Sequence, residues 1–165
     1  MRPLTESESK QLFEKLHKFI KNHLPELVKE YVFRLQRNRI YMVPNHVENH
    51  CSSVPRKSLV HAGIYIAKIT HGHHIHLTIG CLHILSKYAR KVQVKGMGVL
   101  YGQSVLRRSI LKISDDVQVG DGVVISSEGV DAGIGLVVSL SMDPTKTVLI
   151  NQADLGEYLR DQEHI

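Results

Sequence analysis

The sequence has very little cysteine: Cys51 and Cys81 are the only two in 165 residues, and no CxxC spacing links them. That argues against the disulfide framework of small secreted folds and fits a reducing cytosol or nucleus. No apolar run reaches the roughly 18 residues of a membrane-spanning helix. The opening Met1-Arg2-Pro3-Leu4-Thr5-Glu6 lacks the apolar stretch of a secretory signal. No membrane association is expected. Enzyme signatures are missing as well. Gly96-Met97-Gly98 and Gly133-Ile134-Gly135 lack the third glycine and the acidic residue of a dinucleotide site. Gly120-Asp121-Gly122 lies between valine-rich runs, where a turn accounts for it, and no motif singles out a serine or cysteine nucleophile. The chain is read as no enzyme, with no catalytic residue and no cofactor.

What the chain does have is a core and an uneven charge. Apolar residues make up 42%, enough for one ordinary domain or two small ones. The net charge of +5 hides an asymmetry. Met1 to Lys112 carries 19 Lys and Arg against 6 Asp and Glu, whereas Ile113 to Ile165 carries 2 against 10. A basic portion followed by an acidic one points to a polyanion on one face, with the acids turned to solvent or to a protein. Ordinary solvated surface charge is the competing reading.

Thr5-Glu6-Ser7-Glu8 has the form of a capping box, and Leu12, Phe13, Leu16, Phe19 and Ile20 recur at helical spacing. Pro25 should stop that helix at Leu24. Tyr31–Leu35 and Arg39–Val43 flank a short polar link and read as a hairpin. Asn45 with Glu48 starts a short helix ending near Cys51, and Ser52 to Ser58 is loop. Leu59–Thr70 and His74–Ile79 form a second strand pair, and Gly80–Ala89 a helix. Residues 1–90 are therefore an α+β domain with an antiparallel sheet. From Lys91 the helical spacing fades and glycines punctuate short runs: Val92–Lys95, Ser104–Ile113, Val123–Ser127, Gly135–Ser139 and Thr147–Ile150. Residues 91–165 read as a compact β-barrel.

Two constellations carry chemistry. His71-Gly72-His73-His74-Ile75-His76, followed by Cys81 and His83, suggests a metal site, since His74 and His76 share one strand face. The same alternation sends Ile75, Leu77 and Ile79 inward and leaves His74, His76 and Thr78 as a plain solvent face, so no metal is expected. The second constellation is Lys91, Lys95, Arg107, Arg108 and Lys112, a run with no acid and with Tyr101 as an aromatic face. Lysine and arginine meet phosphates, and arginine or tyrosine stacks on unpaired bases. The alternative is a strand edge guarded by charge.

From Val92 onward, Val92-Gln93-Val94-Lys95, Leu100-Tyr101-Gly102, Val119-Gly120-Asp121-Gly122-Val123-Val124 and Ala132-Gly133-Ile134-Gly135 resemble a PUA domain. Over nearly its full length, from Met1–Glu6 to Gln152–Arg160, the chain resembles the family of the ribosome-biogenesis factor nuclear import protein seven. That resemblance implies an N-terminal α/β domain followed by a PUA β-barrel. It also implies a non-enzymatic, nucleolar role in pre-rRNA processing and assembly of the large (60S) ribosomal subunit, with pre-rRNA, pre-60S particles and other assembly factors as partners of a monomer. Carried over by position, the RNA-facing surface involves Lys95, Tyr101, Gly102, Ser104, Arg107 and Arg108, to which the acid-free run adds Lys91 and Lys112. A protein–protein adaptor and an accessory subunit of an RNA-modifying enzyme remain competing readings. The acids after Ile113, among them Asp154, Glu157, Asp161 and Glu163, are assigned to a protein-binding surface.

Overall fold

The structure, a computed structural model, describes residues 1–51, 53–55 and 57–160. Ser52 and Arg56 of the expected loop, and Asp161 and Glu163 of the acidic terminus, lie outside the described residues. The chain forms two compact units, one of Met1–His17 and Lys21–Cys81, the other of Lys18–Ile20 with the residues from Leu82 onward.

In the first unit, β1 (Arg2–Pro3) precedes α1 (Glu6–Ile20). Thr5 caps α1 as expected. Its hydroxyl accepts from the Glu8 amide at 3.3 Å, while the Glu8 carboxylate accepts from the Thr5 amide at 2.8 Å. The same carboxylate takes two hydrogen bonds from Arg2, at 2.7 and 2.9 Å. The helix ends earlier than expected, at Ile20, where Lys21 takes a positive φ of 42°. Pro25 does not end a helix but sits in the first turn of a new one, α2 (Leu24–Glu30). The reason is physical: a first-turn residue has no intrahelical partner for its N–H, so proline's missing donor costs nothing there.

The hairpin is β2 (Tyr31–Gln36) and β3 (Arg39–Pro44), joined by Arg37-Asn38, both with positive φ, as a two-residue primed turn requires. After α3 (Asn45–Cys51) come β4 (Ile64–Ile69) and β5 (Ile75–Leu77). The sheet order is β1-β2-β3-β4-β5, every pair antiparallel. Ile40, Met42, Ile66 and Ile75 are fully buried in it, as are Leu12 and Leu16 of α1. Phe13 meets Phe33 edge-on at 5.5 Å.

The second unit begins with α4 (Leu82–Tyr88), which lies before the division expected at Arg90-Lys91. Then follow β6 (Lys91–Val94), β7 (Val105–Leu106), β8 (Ile110–Ile113), β9 (Gly122–Ser127), β10 (Val130–Val137), β11 (Thr147–Asp154) and α5 (Glu157–Arg160). The sheet order is β7-β11-β10-β9-β6-β8, with β6 and β9 parallel and the remaining pairs antiparallel. A 3-10 turn at Arg107–Ser109 carries the chain from β7 at one edge straight into β8 at the other, so the sheet is nearly closed into a barrel. Val92, Val94, Val123, Ile125, Val148 and Leu149 fill its interior. The continuous strand expected over Ser104–Ile113 is broken by that turn. The Arg107 and Arg108 amides leave the strand to bond the carbonyls of Lys146 (2.9 Å) and Pro144 (3.2 Å). Among the described residues, no helix is long and apolar enough to cross a membrane.

Candidate nucleic-acid interface

The eight expected RNA-facing residues fall into three places on the second unit. Lys91 and Lys112 lie on the outer side of β6 and β8, since Val92 and Val94 alternate inward and Gln93 stands opposite Lys112. Lys91 is not free: its Nζ lies 2.7 Å from an Asp131 carboxylate oxygen on β10. Lys112 is exposed.

Lys95, Arg107 and Arg108 form a corner of the barrel. The Lys95 amide donates to the Ser109 carbonyl at 2.7 Å, which ties the end of β6 to the 3-10 turn bearing both arginines. The Arg107 guanidinium lies 3.5 Å from the Met142 sulfur. No carboxylate among the described residues pairs with any of these three cations. Their backbone amides are all bonded, and Lys95 and Arg108 are exposed while Arg107 is half-buried.

Tyr101, Gly102 and Ser104 belong to the connection from β6 to β7. Gly98–Tyr101 is a 3-10 turn that ends at Gly102, whose φ of 75° favours glycine. Tyr101 is 73% exposed, so its ring is available for stacking.

Beneath this turn lies a brace that the sequence pattern does not announce. Asp154 is only 2% exposed. Its carboxylate accepts two bonds from Arg160 Nη2, both at 3.0 Å, one from the Gly156 amide at 2.8 Å and one from Asn151 Nδ2 at 3.2 Å. Arg160 also donates to the Leu100 carbonyl, and Asn151 to the Val99 carbonyl at 2.8 Å. Asp154 is thus removed from the protein-binding surface assigned to it: it is a buried anchor for the turn that presents Tyr101. A signal was present in the sequence, because Gly156 follows Asp154 by two residues. A Cβ at Gly156 would come within 1.8 Å of the Leu100 carbonyl oxygen.

Arg90 plays a comparable part at the start of β6, between Asp116 and the largely buried Asp121, whose carboxylate lies 3.6 Å from the Arg90 guanidinium. Asp121 also accepts from the Gln118 amide at 3.1 Å. The turn reading of Gly120-Asp121-Gly122 agrees with this geometry.

The histidine stretch is a turn at His71-Gly72-His73 that leads into β5, of which His76 is the only histidine. His74 and His76 are exposed while Ile75 and Leu77 are buried. Thr78 departs from expectation: it is buried and donates its hydroxyl to the Tyr65 carbonyl at 3.1 Å. Cys81 is buried too, with its Sγ against the Thr78 carbonyl at 2.9 Å. Among the described residues no group of three His, Cys, Asp or Glu side chains is placed to hold a metal ion.

The comparisons with known proteins agree along the whole chain. The pre-PUA domain of the NIP7/UPF0113 family matches residues 1–79, and the UPF0113 PUA domain matches residues 87–163. The chain is 41% identical to the 60S ribosome subunit biogenesis protein NIP7 of Saccharomyces cerevisiae, covering 99% of this chain and 98% of that one. It is 37% identical to the protein of that name in Schizosaccharomyces pombe, with the same coverage. Both alignments span 177 positions, more than the 165 residues present, so the relatives carry insertions relative to this chain. Among solved structures, a conserved PUA domain protein from Thermoplasma acidophilum shares the fold with a TM-score of 0.54 at 13% identity, covering 96% of this chain and 95% of that one. A hypothetical protein from Pyrococcus horikoshii does so with a TM-score of 0.58 at 15% identity, covering 99% and 96%. With both domains matched in order and two fifths of its residues shared with a full-length relative, the chain belongs to the NIP7/UPF0113 family.

Proposed function

We propose that this protein is a non-enzymatic RNA-binding factor in the assembly of the large ribosomal subunit. It acts in the nucleus and nucleolus as a monomer that contacts pre-rRNA and pre-60S particles. The observation that carries the RNA reading is the barrel corner: Lys95, Arg107 and Arg108 are fixed by backbone bonds and paired with no carboxylate among the described residues. Exposed Tyr101 and Lys112 extend that surface. The curated relatives named as 60S biogenesis proteins support the cellular setting.

Equilibrium binding of the full chain to an oligouridylate across a salt series tests this reading. Reversing both charges in Arg107→Glu/Arg108→Glu leaves two phosphates without a cation. Affinity then falls, and the slope of log K against log salt flattens by about 0.7 for each phosphate no longer neutralised. Unchanged affinity and slope in the double variant would move RNA binding away from this corner. A second reading, protein docking, is favoured by Met142 and Leu159, which are 77% and 86% exposed. Co-sedimentation of single variants at these two positions with large-subunit precursors separates that role from RNA affinity.

A further inference from the structure

From Tyr31 to Ser114 the sole carboxylate is Glu48, against thirteen Lys and Arg. Glu48 is itself occupied by Arg34. This acid-poor stretch reaches back from the barrel through most of the N-terminal sheet. The strand register sets two of its cations and a histidine in a row: Arg39 on β3 stands directly opposite Lys68 on β4, and Lys68 directly opposite His76 on β5. Arg39 and Lys68 are like charges placed directly opposite each other, an arrangement that by itself destabilises a sheet. No carboxylate among the described residues bonds Lys68, and both Lys68 and His76 are exposed. Desolvation first, and then Lys15, Lys68 and His74, lower the His76 pKa, so its imidazole joins the row as a neutral hydrogen-bonding group and not as a third cation.

Aromatic rings are interleaved with these cations. The Arg39 guanidinium lies 5.4 Å from the centre of the Tyr65 ring. Tyr65 is 5.8 Å from Tyr41, and Tyr41 is stacked with exposed His61 at 5.7 Å and 20°. At the hairpin end, Gln36 stands opposite Arg39 and borders a cleft of about 940 Å³ lined in part by Arg37 and Lys57. Rings for bases and a track of cations for phosphates are the two parts of a single-strand platform.

We propose that the row Arg39, Lys68 and His76, with Tyr65 and His61 beside it, is a second binding site for single-stranded RNA, distinct from the barrel corner. The site rests on the RNA-binding reading above. It takes phosphates at Arg39 and Lys68, with the neutral His76 imidazole as a hydrogen-bonding partner, and an unpaired base against the rings.

The test uses the full chain and an oligouridylate of about 20 nucleotides, titrated across salt, alongside Lys68→Glu/His76→Glu and Arg107→Glu/Arg108→Glu. Crosslinking with 4-thiouridine and peptide mapping locates the RNA on the protein. The expected result is that Lys68→Glu/His76→Glu binds about tenfold more weakly with a flatter salt slope, and that wild type crosslinks within residues 61–76. Suppose instead that this variant matches wild type with no crosslink there, while Arg107→Glu/Arg108→Glu loses binding. The second site is then wrong and the RNA reading stands. If wild type itself does not bind RNA, the RNA reading fails first and the second site with it. Normal RNA affinity combined with loss from large-subunit precursors also overturns the proposal and makes this face a protein contact. Should the charge reversal unfold the domain, Lys68→Gln decides: about threefold weaker binding at an unchanged melting temperature supports the site, and unchanged binding rejects it.

Discussion

Arg160 grips Asp154 with one guanidinium nitrogen 3.0 Å from each carboxylate oxygen, while its other terminal nitrogen donates to the Leu100 carbonyl. The pair ties the end of the last strand to the turn that carries Tyr101. Removing the Asp154 carboxylate leaves the Gly156 amide and Asn151 Nδ2 without this acceptor, at a cost of about 1–3 kcal/mol, while the half-exposed Arg160 guanidinium is rehydrated. Asp154→Ala should lose stability toward that range in urea unfolding. RNA affinity should fall as well, because Tyr101 and Gly102 lose their support. Unaltered RNA affinity in folded Asp154→Ala protein would separate the turn from the RNA surface.

Gly156 makes a sharper test of the same brace. Its missing side chain leaves room for the Leu100 carbonyl, which a Cβ would approach to 1.8 Å. Gly156→Ala should destabilise the second unit by about 1–3 kcal/mol, as overpacking does. A melting temperature equal to wild type would show that the turn can shift without penalty.

The amino-terminal clasp predicts an acid-side loss of stability. Hydrogen bonds from Arg2, above all, lower the Glu8 pKa to about 2. Because folding lowers this pKa, the unfolded chain takes up the proton first. The contribution is therefore complete above about pH 5, where even the unfolded carboxyl is ionised, and is lost as pH falls toward 2. In Arg2→Met the Glu8 carboxyl should titrate closer to the ordinary range. Nuclear magnetic resonance titration of that carboxyl checks this, and an unmoved pKa would refute the attribution to Arg2.

The histidines predict a negative result. His74 and His76 are both exposed, but no third ligand joins them among the described residues. Untagged protein should carry no stoichiometric zinc, and chelators should leave its melting temperature unchanged. Elemental analysis giving about one zinc per chain, as a structural site requires, would contradict this.

Local chemistry is legible in the sequence. The capping box at Thr5 and Glu8, the hairpin linked around Gln36-Arg37-Asn38 and the short helix from Asn45 are decided within a few residues, and the structure has all three, with Gln36 itself still in β2. Pro25 reads as a stop and is a start, because proline both ends helices and begins them, and the choice depends on where the preceding helix stops. Strand β10 starts at Val130, five residues before the expected Gly135, because Glu128 and Gly129, both with positive φ, make a tight hairpin with β9.

Long-range pairing is harder to see. Lys91 meets Asp131 forty residues away, and the fracture of Ser104–Ile113 follows from carbonyls at Pro144 and Lys146. Asp154 has the look of a surface acid because sequence gives charge without burial. The Arg39, Lys68 and His76 row depends on a register that shifts between Ile40 and Tyr41, which no spacing in the sequence reveals.

Strand β11 lies between β7 and β10, so it links segments made at different times. During synthesis, β7 emerges roughly forty residues before the strand it must pair with, and such distant pairings form late. The amides of Arg107 and Arg108 wait for the same late carbonyls, at Lys146 and Pro144. A nascent chain therefore cannot assemble its basic corner until residues 144–154 have been made. On the proposed reading, RNA capture through this surface is deferred to a protein whose barrel has already closed.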